Sequence, residues 1–596
     1  MRESALGNIV VTEGPGADGA IALPATAVTA FVGRTLRGPV NEPIPIRSFA
    51  DFHNVFGGLW QPSTLSYAVE QFFESGGRDA VVVRVVNGGA PTTLTLPCGD
   101  DSLTLAALSP GSREMLRASV DYDNIGDHEP DRFNLVLQRV RAHGSERIED
   151  QEIFRRLSAV PGAARHVANA LQESRLVRVR GPVPALRPDR TFRAGSRHPI
   201  GYIDSSPDGD DGAPLTDYDL IGSPSARSGL FALASVADLH FVCIPPLTRE
   251  CDVGPGTLVV AERICRELRA MLIVDPPAAW ETCDDAVRGL REFGFRAEHA
   301  LMCFPRIVSF DRLRGHAEPF ANCGAVAGTL ARLDEQRSPW QAGPDEELLL
   351  RPGTRPGCVV SNAERQRLAA HGINPLQTLR SAHPRPLALR TLAGGAAASA
   401  EGALLTTQRR RLMLMSSVVQ GTRWALFAAS DRGVWRKIER QVQSFLQPLA
   451  AAGVFGPPQE PGAFHVVCDE RLNGLDEIAA GRVNLLVSLR ASRPGRYWSF
   501  LVTHGRDGSD VRPVRSELLA AGARMTIRAV DPAAPAPDAA PRERTVAQAL
   551  YGHYQEPRPP SVVVRNSAPV AAPAGGLDAE AIARIHRELG GGGQRF

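Results

Sequence analysis

Serine, histidine and aspartate are all present in this sequence of 596 residues, so hydrolytic chemistry is the first function to consider. A nucleophile elbow, a zinc-protease helix and a phosphate-binding loop need the patterns GxSxG, HExxH and GxxxxGK[ST], and the sequence contains none of them. His240 lies in an apolar run, which is more typical of a hydrogen-bonded core histidine than of a general base. Asp275 ends an apolar run, where active sites of open α/β sheets lie, and its structural alternative is to cap the Pro-Pro turn that follows. We predict no catalytic residue.

Metal binding is the second kind of chemistry to consider. The acidic segment SPDGDDGAPLTDYD (206–219) offers the oxygen ligands that calcium prefers. Its spacing does not match an EF-hand, so we interpret it as a solvated turn. The nine cysteines are scattered and form no CxxC pair, which leaves a zinc ribbon or a thioredoxin-like motif without support. They are typical of buried thiols in a protein made in reducing cytosol, and we predict neither a cofactor nor a metal site.

Charge and hydropathy argue against two further classes. The formal net charge is +2, which provides no global basic field for binding nucleic acid. The sequence has no basic-then-apolar signal at its N-terminus and no long apolar run, so we expect no membrane insertion. Lys437 is the only lysine, and the many arginines favour bidentate pairing with carboxylates across subunit contacts.

The elements that would position functional residues alternate between strands and helices. Residues 28–32 and 80–86 are apolar runs typical of buried strands, and two helices lie between them, capped by Ser48 and Ser63. A second strand–helix–strand rhythm covers residues 230–280. Because such crossovers build parallel sheets, we predict an α/β fold.

Two regions lie outside this rhythm. Residues 91–225 are a divergent insertion, whose segment 152–179 we expect to be rich in helix. The polar, glycine-rich N-terminus contains one short strand, formed by Ile9, Val10 and Val11. A lone terminal strand is ordered only when it pairs with something, so we predict that this arm pairs with a neighbouring subunit.

A helix that begins near Asp431 is the clearest element of the C-terminal part. Pro448 should end or kink it, because proline lacks the N–H that the helix needs. One side of the helix is basic and could face a partner, although a core helix with a solvated back explains the pattern as well. The apolar face consists of Trp435, Ile438, Val442, Phe445, Leu446 and Leu449, and the basic side of Arg432, Arg436, Lys437 and Arg440.

Short strands follow this helix. We predict one strand at 463–468, and a strand pair at 482–490 and 496–502 that leaves a free edge for the arm of a neighbour. The residues that represent this pair are Val483, Leu485, Tyr497 and Phe500. Pro/Ala-rich spacers make residues 506–596 an extension, and we expect that a cut after Asp507 leaves assembly of the subunits intact.

Several of these stretches resemble contractile tail sheath proteins of myophages, R-type pyocins and extracellular contractile injection systems. The segments that carry the resemblance are AFVGRTLRGPVNEPIPIRSFADFHNVFGG (30–58), RRRLMLMSSVVQGTRWALF (409–427) and AFHVVCDE (463–470). The family usually opens with a PGVYVEE-like strand, whereas this chain has GNIVVTE (7–13), without the proline and the tyrosine.

The resemblance implies a multidomain α/β tail-sheath fold that is structural and not enzymatic. It implies a subtilisin-like α/β middle domain, an α+β C-terminal domain that faces an inner tube, and extended terminal arms. Subunits of this family stack as hexameric rings around the tube and contract without nucleotide. The implied partners are further copies of the chain, the inner tube protein, and baseplate and terminator or cap proteins. The implied location is the bacterial host cytoplasm during assembly, and then a virion tail or an injection-system particle.

The resemblance also suggests domain boundaries. We predict an arm at 1–22, a middle domain at 23–375 with the insertion at 91–225, a C-terminal domain at 376–505 and an extension at 506–596. Two alternatives stay open: a baseplate or cap protein with a sheath-like fold, and an enzyme resembling α/β hydrolases.

Overall fold

The computed structural model describes residues 3–6, 9–12, 20–23, 27–141, 147–191, 201–336, 348–378, 387–394, 403–456, 462–490, 497–506, 508–516 and 527–529. Its first strands, β1 (Glu3–Leu6) and β2 (Ile9–Thr12), form an antiparallel hairpin. The predicted strand at Ile9 is therefore present, but it is not alone, because the chain supplies a partner strand that the sequence analysis missed.

The first crossover is formed by β3, β5 and the two helices between them. Strands β3 and β5 are parallel neighbours, as predicted. The amide of Asp51 donates to Ser48 Oγ at 3.1 Å, and the amide of Ser66 donates to Ser63 Oγ at 3.0 Å, so both predicted caps are confirmed. The elements are β3 (Val28–Gly33), β4 (Ile44–Ile46), α1 (Phe49–Phe56), α2 (Thr64–Glu74) and β5 (Ala80–Arg84).

The insertion is built of strands. Two sheets, ordered β11-β7-β6 and β10-β9-β8-β12, enclose a hydrophobic core of their own. The expected helix content of 152–179 is wrong, because β10 pairs along most of its length with β9, and non-local pairing overrides local propensity. The elements are β6 (Thr93–Cys98), β7 (Asp101–Ala107), β8 (Leu116–Asp121), β9 (Arg132–Val140), β10 (Ile148–Ser158), α3 (Val167–Ala170), β11 (Val177–Val179) and β12 (Ile203–Asp204).

The insertion joins the rest of the chain through two neighbouring segments. Asn87 is bridged to Ala213 and Ala90 to Asp210, both antiparallel, so the incoming and outgoing chains run side by side. The guanidinium of Arg84 is fully buried beside this junction and donates to the carbonyls of Gly38 and Pro110 at 2.8 and 2.7 Å. These contacts fix the insertion to the sheet that carries it.

A seven-stranded sheet forms the centre of the molecule, in the order β20-β15-β14-β13-β3-β5-β4. Every pair in it is parallel except β4–β5, so the predicted parallel α/β architecture is confirmed. Successive residues of its strands belong in turn to two hydrophobic clusters, one on each face of the sheet. Both faces of the sheet are therefore covered, as is usual for parallel sheets. The remaining elements of this part are α4 (Asp217–Ile221), β13 (Leu239–Cys243), α5 (Pro255–Leu268), β14 (Met271–Val274), α6 (Cys283–Phe293), β15 (Ala300–Phe304), β16 (Ile307–Asp311), β17 (His316–Phe320), α7 (Cys323–Gln336), β18 (Leu349–Leu350), β19 (Arg355–Pro356), α8 (Asn362–Ala370), β20 (Ile373–Pro375) and β21 (Gln377–Thr378).

The C-terminal unit packs two helices against an antiparallel sheet of order β22-β23-β24-β25-β26. Helix α10 begins after its cap Asp431, as predicted, but it continues through Pro448 to Ala451. The predicted end at Pro448 is wrong because the proline lies in the last turn, where it removes one bond while its carbonyl still accepts from the amide of Ala452 at 3.0 Å. The elements are α9 (Leu405–Gly421), α10 (Arg432–Ala451), β22 (Phe464–Val467), α11 (Leu475–Ala479), β23 (Val483–Arg490), β24 (Tyr497–Gly505), β25 (Gly508–Ser516) and β26 (Ile527–Ala529).

The sheet extends past the predicted end of the C-terminal domain. Strand β25 pairs with β24 from Gly505↔Gly508 to Ser499↔Val514, and Val514 is 4% exposed. A boundary at residue 505 would therefore divide a hairpin. The polar residues and the proline of β25 hid this strand from sequence reasoning.

A cut after Asp507 should consequently destabilise the C-terminal unit, although the sequence analysis expected assembly to survive it. It removes β25, and burial of Val514 alone is worth roughly 1.5–3 kcal/mol. A matched cut after Asp531 keeps β25 and β26 and should melt like the full chain. Thermal unfolding of the three proteins checks this, and equal midpoints for both cuts would show that β25 contributes nothing.

Candidate functional site

The carboxyl edge of the parallel sheet is where a catalytic site would lie in an α/β enzyme. Asp275 follows β14 at this edge, and its Oδ1 accepts the amides of Asn322 and Cys323, each at 2.8 Å. The carboxylate thus caps the start of α7 and not the Pro-Pro turn that the sequence suggested. Burial raises the pKa of Asp275, opposed by these bonds and by Arg306.

The other charged groups at this edge bind one another. Arg306 pairs with Asp252 and donates to the carbonyl of Pro276 at 2.9 Å. Arg249 pairs with Asp311 at 2.5 Å and with Glu318, and the hydroxyl of Tyr67 lies 3.2 Å from both carboxylate oxygens of Asp311. These side chains hold loops and the β16–β17 hairpin against the sheet.

His240 is placed as the sequence analysis interpreted it. Its Nδ1 accepts the amide of Val28 at 3.3 Å, and burial lowers its pKa to about 4. The imidazole is therefore neutral and structural at neutral pH.

The acidic segment 206–219 is largely exposed, as interpreted, and its carboxylates also bind other parts of the chain. Asp208 accepts the amide of Thr93 at 2.9 Å, and Asp211 accepts the amide and hydroxyl of Ser112 at 2.9 and 2.7 Å. Within the described ranges, no group of three or more His, Cys, Asp or Glu side chains could hold a metal ion. In the same ranges, no helix is both long and apolar enough to cross a membrane.

Helix α9 connects the central sheet to the C-terminal unit. Leu405 and Leu412 belong to a core cluster of the central sheet, whereas Leu414 and Val418 belong to the C-terminal core. One continuous helix is thus shared by both cores.

The segment 409–427 begins with three arginines, and each of them contacts a segment next to α9. Arg409 pairs with Asp334 on α7, Arg410 donates to the carbonyl of Val454 at 2.6 Å, and the guanidinium of Arg411 lies 5.2 Å from the ring centroid of Trp498. The basic triplet therefore packs α9 between two units.

The basic side of α10 faces solvent. Its apolar face is buried, from Trp435 at 4% to Leu449 at 8% exposed. Arg432, Arg436 and Arg440 recur every fourth residue, so they form one stripe on the helix, which we call the basic stripe. The ammonium of Lys437, beside the stripe, lies 4.5 Å from the ring centroid of Trp424.

The predicted strand pair is formed by β23 and β24. Val483, Leu485 and Phe500 are buried, and the hydroxyl of Tyr497 donates to the carbonyl of Gly462 at 2.9 Å. The free edge expected on this pair is absent, because β22 pairs with β23 and β25 pairs with β24. Among the described strands, the outer strands of this sheet are β22 and β26.

The N-terminal arm starts from the C-terminal unit. Ile21 and Leu23 pack against its hydrophobic core. A Cβ atom on Gly421 would lie 2.5 Å from Ile21 Cγ1, so a glycine is needed at the end of α9 for this close approach. This contact places residue 20, where the arm begins, beside the C-terminal sheet and helices.

His504 ties that sheet to the end of α9. It is 1% exposed, and its ring nitrogens lie 2.8 Å from the hydroxyls of Thr422 and Ser509. Burial, with a smaller contribution from Arg423, lowers the pKa of His504 to about 4.

Comparisons with known proteins give structural matches only. No protein-family model and no curated protein sequence matches the chain. The chain is similar to the sheath tail protein Lin1278 from Listeria innocua, with a TM-score of 0.55 and 12% identity over 82% of this chain and 97% of that one. The sheath tail protein DSY3957 from Desulfitobacterium hafniense matches with a TM-score of 0.45 and 12% identity over 86% and 100% of the two chains. The contracted sheath of PVC, an extracellular contractile injection system, matches with a TM-score of 0.46 and 13% identity over 83% of this chain and 96% of that one.

The match to Lin1278 shows a shared fold. The mixed α/β architecture with several sheets is that of a sheath tail protein, so the predicted resemblance is confirmed at the level of the fold. All three structures are described as sheath proteins.

His504 predicts a pH dependence of stability. The pKa of His504 is about 4 in the folded chain and about 6.5 in the unfolded chain. Acid therefore protonates the unfolded chain first, so the free energy of unfolding falls as the pH drops from about 6.5 to about 4. The loss between neutral pH and pH 4 should approach about 3 kcal/mol. We expect His504→Gln, compared with the wild-type chain, to flatten the fall of the thermal midpoint with acid. Parallel pH profiles for the two proteins would contradict this.

Proposed function

We propose that this chain is the structural subunit of a contractile tail sheath. The observation that carries the proposal is the fold, which matches Lin1278 over 97% of that protein. In this role subunits stack as hexameric rings around an inner tube, and contraction drives the tube through a target envelope. The energy would come from a metastable lattice and not from a bound nucleotide.

The proposed division of labour follows the structural units. The central sheet, with helices on both faces, would be the subtilisin-like middle domain, and the insertion would lie outside it. The unit formed by α9 to β26 would be the domain that faces the tube, and we place its end after β26. The N-terminal residues to 22 would be an exchange arm, and the chain beyond residue 529 an extension.

The exchange arm would link subunits through strand addition. Its strand residues Ile9, Val10 and Val11 belong to β2, which has four residues, the same length as β22. Since β23 and β24 are both flanked by strands of their own chain, we assign the outer edge of β22 as the acceptor. The root of the arm at Ile21, on the C-terminal unit, supports an exchange between units of this kind.

The basic side of α10 would face the tube. Arg432, Arg436, Lys437 and Arg440 are all exposed on a helix whose other face is buried. Charges placed in this way set the register and the rate of association more than the affinity. The further partners would be baseplate and terminator or cap proteins, and the particle would assemble in the host cytoplasm.

Electron microscopy of the purified full chain tests the function. A sheath subunit should form striated tubes, because it carries both halves of a self-propagating contact. Discrete rings would favour a cap or baseplate role, and monomers at all concentrations would refute the sheath proposal.

The arm is tested by Val10→Pro. Proline removes a ladder N–H from β2, so we expect a chain that melts normally but does not form tubes. Val10→Thr keeps both the N–H and the β-branched shape and serves as the matched control, which should still form tubes. Normal contractile tubes from Val10→Pro would rule out this arm as the link.

A further inference from the structure

An aromatic side chain projects into solvent just before α10, the helix that carries the basic stripe. Phe427 ends the short 3₁₀ helix Arg423–Phe427 and is 85% exposed. The other residues of this turn are used internally: Ala425 is 2% exposed, and the indole N–H of Trp424 donates to Gln441 at 2.9 Å. Single exposed apolar side chains are common on protein surfaces, so the case for an interaction site rests on the charged groups that accompany Phe427.

The turn lies along α10 on the side of Lys437. Trp424 contacts both Lys437 and Gln441, which are one turn apart on the helix. Gln441 in turn donates to the carbonyl of Gly421 at 2.9 Å. Phe427 follows Trp424 by three residues and precedes Asp431, the cap of α10, by four, so it lies near the end of the helix where the basic stripe begins.

The stripe is poorly neutralised by its own chain. Arg432 lies 3.8 Å from Glu470, with both side chains largely exposed at 75% and 64%, so this pair is weak. The Nε of Arg440 donates to the carbonyl of Arg436 at 3.3 Å. Among the described residues, no carboxylate lies within ion-pair distance of Arg436, Lys437 or Arg440.

We propose that Phe427 is the apolar anchor of the tube contact, and that its partner is an acidic protein surface with an apolar socket. This inference rests on the proposed sheath function and identifies the partner surface as the outside of the inner tube. Binding hot spots combine a buried aromatic group with a surrounding ring of polar groups, which is the arrangement that Phe427 and the basic stripe present. Charge complementarity selects an acidic partner over a second copy of this near-neutral chain.

Titration of isolated inner tubes with the purified full chain tests the anchor. Phe427→Ala should raise the chain concentration needed for half coating about tenfold, at low and high salt alike, because an apolar contact is not screened. The double variant Arg436→Glu with Lys437→Glu should raise the concentration for half coating most at low salt. The effect of this double variant should shrink as salt is added, because salt screens charge. Phe427→Leu should recover part of the loss.

Val359→Ala is the matched control, since Val359 is a 96% exposed apolar residue of the central part. It should coat tubes like the wild-type chain, and all variants should melt alike because each replaced side chain is exposed. Coating by Phe427→Ala at the wild-type concentration overturns the anchor and leaves the sheath function standing. Loss of self-assembly without inner tube in the same variant assigns Phe427 to a contact between copies and also overturns it. Failure of the wild-type chain to coat tubes refutes the proposed function itself.

Discussion

A single helix shared by two hydrophobic cores is the constraint on which the arrangement of this molecule depends. Helix α9 enters the core under the central sheet at Leu405 and Leu412, and reaches the C-terminal core with Leu414 and Val418. Interiors pack at the density of organic crystals, so neither end can rotate without displacing its neighbours. The orientation of α10 and of the C-terminal sheet is therefore set by the central sheet, and the basic stripe is presented in a direction fixed by the whole subunit.

The charged residues at the carboxyl edge of the central sheet bind one another and hold the fold together. Asp275, Arg306 and Arg249 occupy the edge where other α/β proteins hold substrates, and here they cap a helix and hold loops in place. The arginine triplet of α9 is likewise consumed by packing. The basic stripe of α10 differs, because its arginines face solvent.

Local patterns predicted the parts of this fold that depend on local physics. The caps at Ser48 and Ser63 need only a hydroxyl three residues before an amide, and the buried face of α10 needs only its helical spacing. The sequence analysis failed where a distant partner decides the conformation. The sequence of β10 predicts a helix, but pairing with β9 makes it a strand. The sequence of β25 predicts a polar tail, but pairing with β24 makes it part of the sheet. The exposure of Phe427 was also beyond the sequence, because GTRWALF does not reveal which of its aromatic residues is buried. The basic stripe could be predicted, since its residues recur at a helical period.

The paired segments at the base of the insertion have a consequence for the history of such chains. Residues 87–90 and 210–213 leave the core as adjacent antiparallel segments, so the gap that separates them is one that an ordinary hairpin turn closes. An entire β-structured module with its own core can be gained, lost or exchanged at this point without changing the length or direction of the surrounding chain. Related chains can therefore differ in this module while the rest of the fold is kept. The same junction is a natural place to graft a foreign domain onto the subunit.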